Sequence, residues 1–179
     1  MGRILDLARR YESLLGVQWP RDVSGSERTW FVVYPPQDER RLRFRLDEFA
    51  LATQRAGKRW VPVDLTAALA RWMAENDMAE EYFAEPEFLT PELDYFAQDQ
   101  AQLLRQVLES EEAGPDSVVA LYGIASLYGA LSTSQLLDSV ADAIQGILLV
   151  MFPGTYEGNR YHLLEISEGW NYRAVPVIA

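Results

Sequence analysis

The residues that could carry acid–base or nucleophilic chemistry are few in this chain. It contains one histidine, His162, one lysine, Lys58, and no cysteine. Thiol chemistry, cysteine-based zinc sites and metal sites with two histidine ligands are therefore excluded. A serine–histidine–aspartate triad would have to use His162, and no Gly-x-Ser-x-Gly segment accompanies it. A structural or surface histidine is the interpretation that we favour.

Lys58 does not fit a phosphate-binding loop. Such a loop needs glycine at the position of Ala52 and serine or threonine at that of Arg59. Lys58 also follows a predicted helix and precedes a strand, whereas phosphate binding requires a strand that leads into a helix. A Pro-Asp…(Asp/Glu)-x-Lys nuclease would need an acid at Ala56. The sequence therefore argues against both ATP hydrolysis in the usual manner and this nuclease chemistry, and we expect no cofactor.

The net charge of −11 is unevenly distributed. Residues 1–71 hold 13 of the 16 basic residues, and residues 72–179 hold 18 of the 27 acidic ones. Because phosphate contacts depend on lysine and arginine, this distribution argues against direct nucleic-acid binding by the second part. An acidic excess suits a basic partner, although a solvated surface would account for it equally well.

Residues 75–99, the acidic segment, hold nine acidic residues, no lysine or arginine, and several aromatic residues. Carboxylates could bind Mg²⁺ or Ca²⁺, but no Asp-x-Asp-x-Asp-Gly loop is present, so we expect no metal site. A paired-carboxylate hydrolase stays open, although no pair stands out. We favour a solvated or partner-facing surface. The candidate partner-binding residues of this segment are Glu80, Glu81, Glu85 and Glu87.

Four arginines, Arg40, Arg41, Arg43 and Arg45, fall in the first turns of a predicted helix over 38–56. Positive charge there opposes the helix dipole, which hints at a specific role. The cluster could bind phosphate or an acidic partner, or it could pair with the chain's own carboxylates. It supports the alternative that the protein is a nucleotide- or nucleic-acid-binding enzyme with an unrecognised site.

Hydrophobic periodicity predicts the elements that would position these residues. Helices are predicted over 4–15, 38–56, 65–74, 91–110 and 133–144, and strands over 30–34, 60–63, 117–124, 147–152, 161–166 and 170–178. Pro62 favours an edge position for the second strand. Ser132, Thr133 and Ser134 offer N-terminal caps for the helix over 133–144. The turn 167–169 is expected to join the last two strands as a hairpin.

This order predicts an α/β fold, with a mainly parallel sheet flanked by helices and a C-terminal antiparallel hairpin. We expect a single domain over 1–179, with an N-terminal helix and lead-in over 1–28 and an acidic helical insertion over 75–112. No apolar run approaches the ~20 residues of a membrane span. With no signal-peptide pattern at the start, a cytoplasmic location is expected.

The C-terminal segment is richer in glycine, proline and aromatic residues than a plain hairpin requires. In a parallel sheet, ligands bind beyond the carboxyl ends of the strands, and the predicted loop 153–159 lies there. A glycine-dependent turn followed by core aromatics would account for the same residues. The candidate partner-binding residues of this segment are Tyr156, Glu157, Asn159, Trp170 and Tyr172.

Two runs carry a family resemblance: Phe152-Pro-Gly-Thr-Tyr-Glu-Gly-Asn-Arg-Tyr-His-Leu-Leu164 and Gly169–Pro176. They resemble the ending of the BrxB family, the small component of the bacterial BREX phage-exclusion system. The resemblance is confined to about the last sixty residues, while the rest matches in general plan.

The resemblance implies a non-catalytic accessory protein that works beside a methyltransferase, an ATPase and the alkaline-phosphatase-like protein PglZ. PglZ is the first expected partner, and another BREX component is the second. The resemblance also implies a fold like a P-loop NTPase core that has lost its phosphate loop. It carries over no catalytic residue.

Overall fold

A computed structural model describes residues 2–17, 19, 22–164 and 170–179, and a β-sheet lies at its centre. The strands are β1 (Thr29–Tyr34), β2 (Arg59–Asp64), β3 (Ser117–Tyr122), β4 (Ile147–Glu157), β5 (Arg160–Leu163) and β6 (Val175–Val177). Five of them run parallel in the order β2-β3-β4-β1-β6. The predicted α/β fold with a mainly parallel sheet is confirmed.

Helices cover both faces of this sheet. They are α1 (Arg3–Leu15), α2 (Glu39–Phe44), α3 (Leu46–Arg55), α4 (Ala68–Ala74), α5 (Ala79–Ala84), α6 (Leu93–Leu108) and α7 (Thr133–Val140). Trp30 and Val32 of β1 pack in one buried cluster with α1 and α3, and Phe31 lies in the other with α6 and α7. Because alternate side chains of a strand point to opposite faces, the apolar runs of β1 and β4 are buried on both sides.

Both edge strands of the parallel sheet contain a proline near their centre. Pro62 lies in β2 and Pro176 in β6. A proline removes a hydrogen-bond donor from the ladder, so it discourages further pairing at an edge. The predicted edge position of the strand that contains Pro62 is confirmed.

The C-terminal strands pair differently from the prediction. β4 continues to Glu157, so residues 153–157 are strand rather than loop, and this part pairs antiparallel with β5. β6 instead lies parallel to β1. Among the described residues, Tyr161 of β5 forms one antiparallel bridge with Trp170, and the predicted turn 167–169 lies outside those residues.

Gly154 and the turn at Gly158 and Asn159 make the β4–β5 hairpin possible. The two turn residues have φ of +56° and +65°, which a two-residue hairpin turn with positive φ at both positions requires. A Cβ atom on Gly154 would lie 1.9 Å from the carbonyl oxygen of His162. The strands can approach this closely only because Gly154 has no side chain.

Two predicted helices also differ in their bounds. The helix predicted over 38–56 is broken at Arg45, which has φ −113° and ψ 11° and separates α2 from α3. The helix predicted from residue 65 begins at Ala68, because the Asp64 carboxylate first accepts the Thr66 N–H at 2.9 Å in a local turn. The predicted cap of α7 is confirmed, since Ser132 Oγ accepts the Gln135 N–H.

An aromatic cluster fixes the hairpin to the sheet. Phe31 stacks on Phe152 with ring centroids 5.1 Å apart, and Tyr161 meets Phe31 edge-on at 4.5 Å. The fully buried Tyr161 donates its hydroxyl hydrogen to the Ala174 carbonyl at 2.8 Å. Trp170 and Tyr172 complete the cluster against Phe152 and Phe31. The hairpin and the C-terminal residues are therefore part of the core.

Replacing Gly154 with alanine should lower the free energy of unfolding by about 1–3 kcal/mol, because the new methyl group overlaps the His162 carbonyl. Urea denaturation measures the change. Gly16→Ala is the control, since Gly16 has helical angles and its nearest contact to a new Cβ is 3.6 Å. This control should be neutral or stabilising. Equal stability of both variants would contradict the packing described at Gly154.

Trp170→Ala should lower the free energy of unfolding by about 2–4 kcal/mol, because it opens a cavity beside Phe152. The matched control is Phe44→Ala, which truncates a ring that is 83% exposed and should change stability by less than about 0.5 kcal/mol. Chemical denaturation of both variants makes the comparison. A Trp170→Ala variant as stable as the control would show that Trp170 is not part of the core.

Candidate partner-binding surface

The predicted site residues of the hairpin divide into a packed base and an exposed tip. Tyr156 packs on Tyr161 with ring centroids 4.6 Å apart, and its hydroxyl donates to Asn159 Oδ1 at 2.7 Å. Glu157 and Asn159 lie exposed at the turn. The tip is therefore the part of the hairpin with exposed polar side chains.

Trp170 and Tyr172 are half-buried members of the aromatic cluster. Burial raises the pKa of Tyr172 to about 12, with a smaller contribution from the negative charge of Asp138. The hydroxyl therefore stays protonated at neutral pH. These two residues hold the C-terminal segment on the core, and most of their surface is not available for a partner.

The four predicted glutamates of the acidic segment are all exposed. Glu80 and Glu81 lie in α5, and Glu85 and Glu87 lie in the turns that follow it. None of them forms an ion pair with the residues that the structure describes. Large apolar side chains are exposed between and beside them: Met78, Phe83, Phe88 and Tyr95. The segment thus presents unpaired carboxylates and apolar groups together.

The hairpin candidates and the acidic candidates lie on different elements. Within the described residues, no hydrogen bond, ion pair or ring contact joins a member of one group to a member of the other. The sequence prediction left open whether one surface or two would be used. All four glutamates of the acidic group are exposed, whereas the three aromatic residues of the hairpin group are half-buried.

Lys58 and His162, which the sequence offered for acid–base chemistry, both lie against other parts of the fold. Lys58 pairs with Asp116 and lies 4.4 Å from the centre of the Trp19 ring. His162 lies in β5 opposite Thr155.

Across the described parts of the chain, no three histidine, aspartate or glutamate side chains are grouped so that they could hold a metal ion. In the same parts, no helix has the length and apolar character needed to cross a membrane.

The predicted arginine cluster is divided by the fold. Arg43 donates to Glu39 Oε1 at 2.8 Å and to Thr66 Oγ1 at 2.7 Å. It therefore holds α2 against the carboxyl end of β2 and is not free to bind a ligand.

The remaining arginines of the cluster, Arg40, Arg41 and Arg45, line an open cleft of about 760 Å³ between α1 and α2. Two of them are paired, Arg41 with Asp38 at 2.9 Å and Arg45 with Glu48 at 3.4 Å. Three of the four arginines thus form ion pairs with the chain's own carboxylates. Such pairing is one of the alternatives that the sequence left open.

The structure also contains a groove between α4 and α6 that the sequence did not predict. It has a volume of about 350 Å³ and opens at the carboxyl end of β2, beside Asp64. Trp72 forms one wall, fixed by a hydrogen bond from its Nε1 to Asp99 Oδ2 at 2.8 Å and by edge contact with Phe96. Gln100 lines the groove and is only 7% exposed.

A sequence signal for this groove existed in α6. The buried residues of this helix are Phe96, Gln100, Leu104 and Leu108, one every four residues. Gln100 is the polar residue in an otherwise apolar stripe, and a buried amide requires a hydrogen-bond partner. Leu103 lies off this stripe and is 54% exposed.

A comparison with protein-family models identifies a family. Residues 63–177 match the model described as BrxB, BREX protein BrxB. The match begins far before the last sixty residues and covers the acidic segment, the groove and the hairpin. The comparisons with curated proteins and with solved structures give no match. Because the family model covers more than half of the chain, the protein belongs to the BrxB family of BREX proteins.

Proposed function

We propose that this BREX component is a non-catalytic cytoplasmic adaptor that binds another component of the system, PglZ first, through its acidic segment. The observation that carries the proposal is the unpaired, exposed carboxylates of Glu80, Glu81, Glu85 and Glu87 beside exposed apolar side chains. Isolated exposed apolar residues are ordinary, but several together with one sign of charge are typical of a recognition surface.

The exposed rings give this surface the means to bind tightly. Phe83 is 75% exposed and Phe88 50% exposed. Aromatic residues supply much of the binding energy at interfaces, whereas charges at the rim mainly select the partner and raise the association rate. A basic partner with a complementary apolar patch fits both features.

The hairpin has a secondary part in this proposal. Its aromatic residues pack in the core, so Glu157 and Asn159 at the exposed tip are the groups through which it would touch a partner. The likeness to a P-loop NTPase core without its phosphate loop also belongs to the proposal. It is supported by the parallel sheet and by the pairing of Lys58 with Asp116.

The cleft between α1 and α2 favours a second candidate function, the binding of a phosphate-bearing ligand. Arg40 forms no ion pair with the described residues, and Phe44 at the cleft is 83% exposed. Thermal unfolding with ATP, GTP and Mg²⁺ tests this function, since a ligand at 100 times its dissociation constant stabilises by about 2.7 kcal/mol. If none of these ligands raises the unfolding temperature, nucleotide binding at this cleft is excluded.

The adaptor proposal predicts that charge reversal in the acidic segment weakens binding to PglZ from the same BREX system. The double variant Glu85→Lys and Glu87→Lys should raise the dissociation constant at least about tenfold, because it repels a basic surface that the native residues attract. Biolayer interferometry at two salt concentrations measures the effect, which should be larger at low salt.

The matched control is the double variant Glu111→Lys and Glu112→Lys. It changes the net charge by the same amount at exposed positions outside the acidic segment, and it should bind as the native protein does. If both double variants lose affinity equally, only the overall charge matters and the acidic segment is not the binding surface. Failure of the native protein to bind PglZ or any other BREX component would refute the adaptor function itself.

A further inference from the structure

The groove between α4 and α6 has the features of a pocket for one cationic side chain. We propose that it receives an arginine of the partner protein, which inserts between Trp72 and Gln100. This inference rests on the proposed adaptor function, and it names the anchoring contact of that same interface. It concerns residues other than Glu80, Glu81, Glu85 and Glu87, so it can be tested apart from them.

The floor of the groove suits the aliphatic part of a long side chain. Leu65, Ala68 and Leu104 are buried beneath it, and Val107 lies beside them. The volume of about 350 Å³ is at the lower end of the range for small-molecule pockets, about 300–1,000 Å³. The groove is therefore better matched to one side chain with its adjoining backbone than to a large cofactor.

Gln100 supplies the observation that points to a ligand. The residue is almost fully buried at the groove, and its side-chain amide makes no hydrogen bond to the described residues. Its polar atoms are not among the fully buried side-chain atoms without a partner, so they keep some contact with solvent at the groove. An incoming donor would take the place of water at this amide. The amide oxygen can accept a hydrogen bond from a cationic head group.

The charges around the groove favour a cation. Asp64 and Glu75 line it, and Asp99 holds the Trp72 indole at its wall, whereas Arg71 is the one positive residue of the lining. Burial raises the pKa of the Asp64 carboxyl, but hydrogen bonds from Thr66 and the positive charges of Arg43 and Arg71 outweigh burial and hold it below its ordinary value. Because two arginines already face Asp64, the carboxylates of Glu75 and Asp99 supply the attraction for a further positive head group.

An arginine satisfies more of these groups than a lysine does. Its planar guanidinium can lie against the Trp72 indole while its N–H groups reach the Gln100 amide oxygen and the Glu75 carboxylate. The groove also adjoins the acidic segment, because Glu75 begins that segment and α6 starts inside it. A basic segment that crosses the exposed glutamates could therefore place one arginine here.

Nuclear magnetic resonance of the isolated protein tests the pocket without any partner. The probes are N-acetyl-arginine amide, its lysine counterpart, and N-acetyl-citrulline amide, a neutral isostere. The arginine compound should shift the signals of Trp72 Nε1–H and the Gln100 side-chain amide to saturation. We expect binding at least about fivefold weaker for the other two compounds. Small shifts spread over all acidic residues, or equal binding of all three compounds, would overturn the proposal.

Gln100→Leu separates recognition from folding. Leucine has a similar size and continues the apolar stripe of α6, so this variant should unfold at the same or a higher temperature than the native protein. It should nevertheless lose saturable binding of the arginine compound and bind PglZ about tenfold more weakly. Glu75→Gln should weaken both interactions with stability unchanged.

Gln102→Leu is the matched control for the Gln100 substitution. It makes the same chemical change on the same helix at an exposed position outside the groove, and it should bind both the arginine compound and PglZ as the native protein does. If Gln100→Leu binds PglZ normally while the Glu85 and Glu87 double variant does not, the groove proposal fails and the adaptor function stands. If the native protein binds the arginine compound but no BREX component, the adaptor function fails instead.

Discussion

The parallel pairing of β1 with β4 is the constraint on which the rest of the structure depends. Both strands are apolar on their two faces, so each face must be covered by helices. α1 and α3 cover one face, and α6 and α7 cover the other. The prolines in β2 and β6 then lie at the two edges of the parallel sheet, where a missing donor does least harm.

The length of β4 links this core to the C-terminal segment. β4 extends past the end of β1 beyond Pro153, and its last residues pair with β5 instead. The hairpin brings Tyr161 onto Phe31 and Phe152, and the cluster then holds Trp170 and Tyr172. The aromatic rings of the C-terminal segment are therefore explained by packing, which leaves the exposed carboxylates and the α4–α6 groove as candidate surfaces for a partner.

Much of the fold could be predicted because the apolar runs are long and local signals mark the ends of elements. The Ser132 cap of α7 and the edge position of Pro62 followed from their own chemistry. The pairing of β5 with β4 could not be predicted, since it depends on a close approach at Gly154 that only the folded backbone reveals. The pairing of β6 with β1 joins residues that are distant in the chain. A prolyl-glycyl pair usually ends a strand, and here it lies inside one.

The candidate site was predictable only in part, for a similar reason. The exposure of the glutamates follows from the acidic composition of their segment, but the burial of Trp170 depends on contacts with residues distant in the chain.

Amide hydrogen exchange of the protein, alone and in complex with PglZ, tests the central claim most directly. The adaptor account predicts that binding slows exchange in residues 68–108, which span α4, the acidic segment and α6. It predicts little change in α1 and in the packed base of the hairpin. Slowed exchange confined to α1, α2 or the hairpin, with residues 68–108 unaffected, would contradict the account.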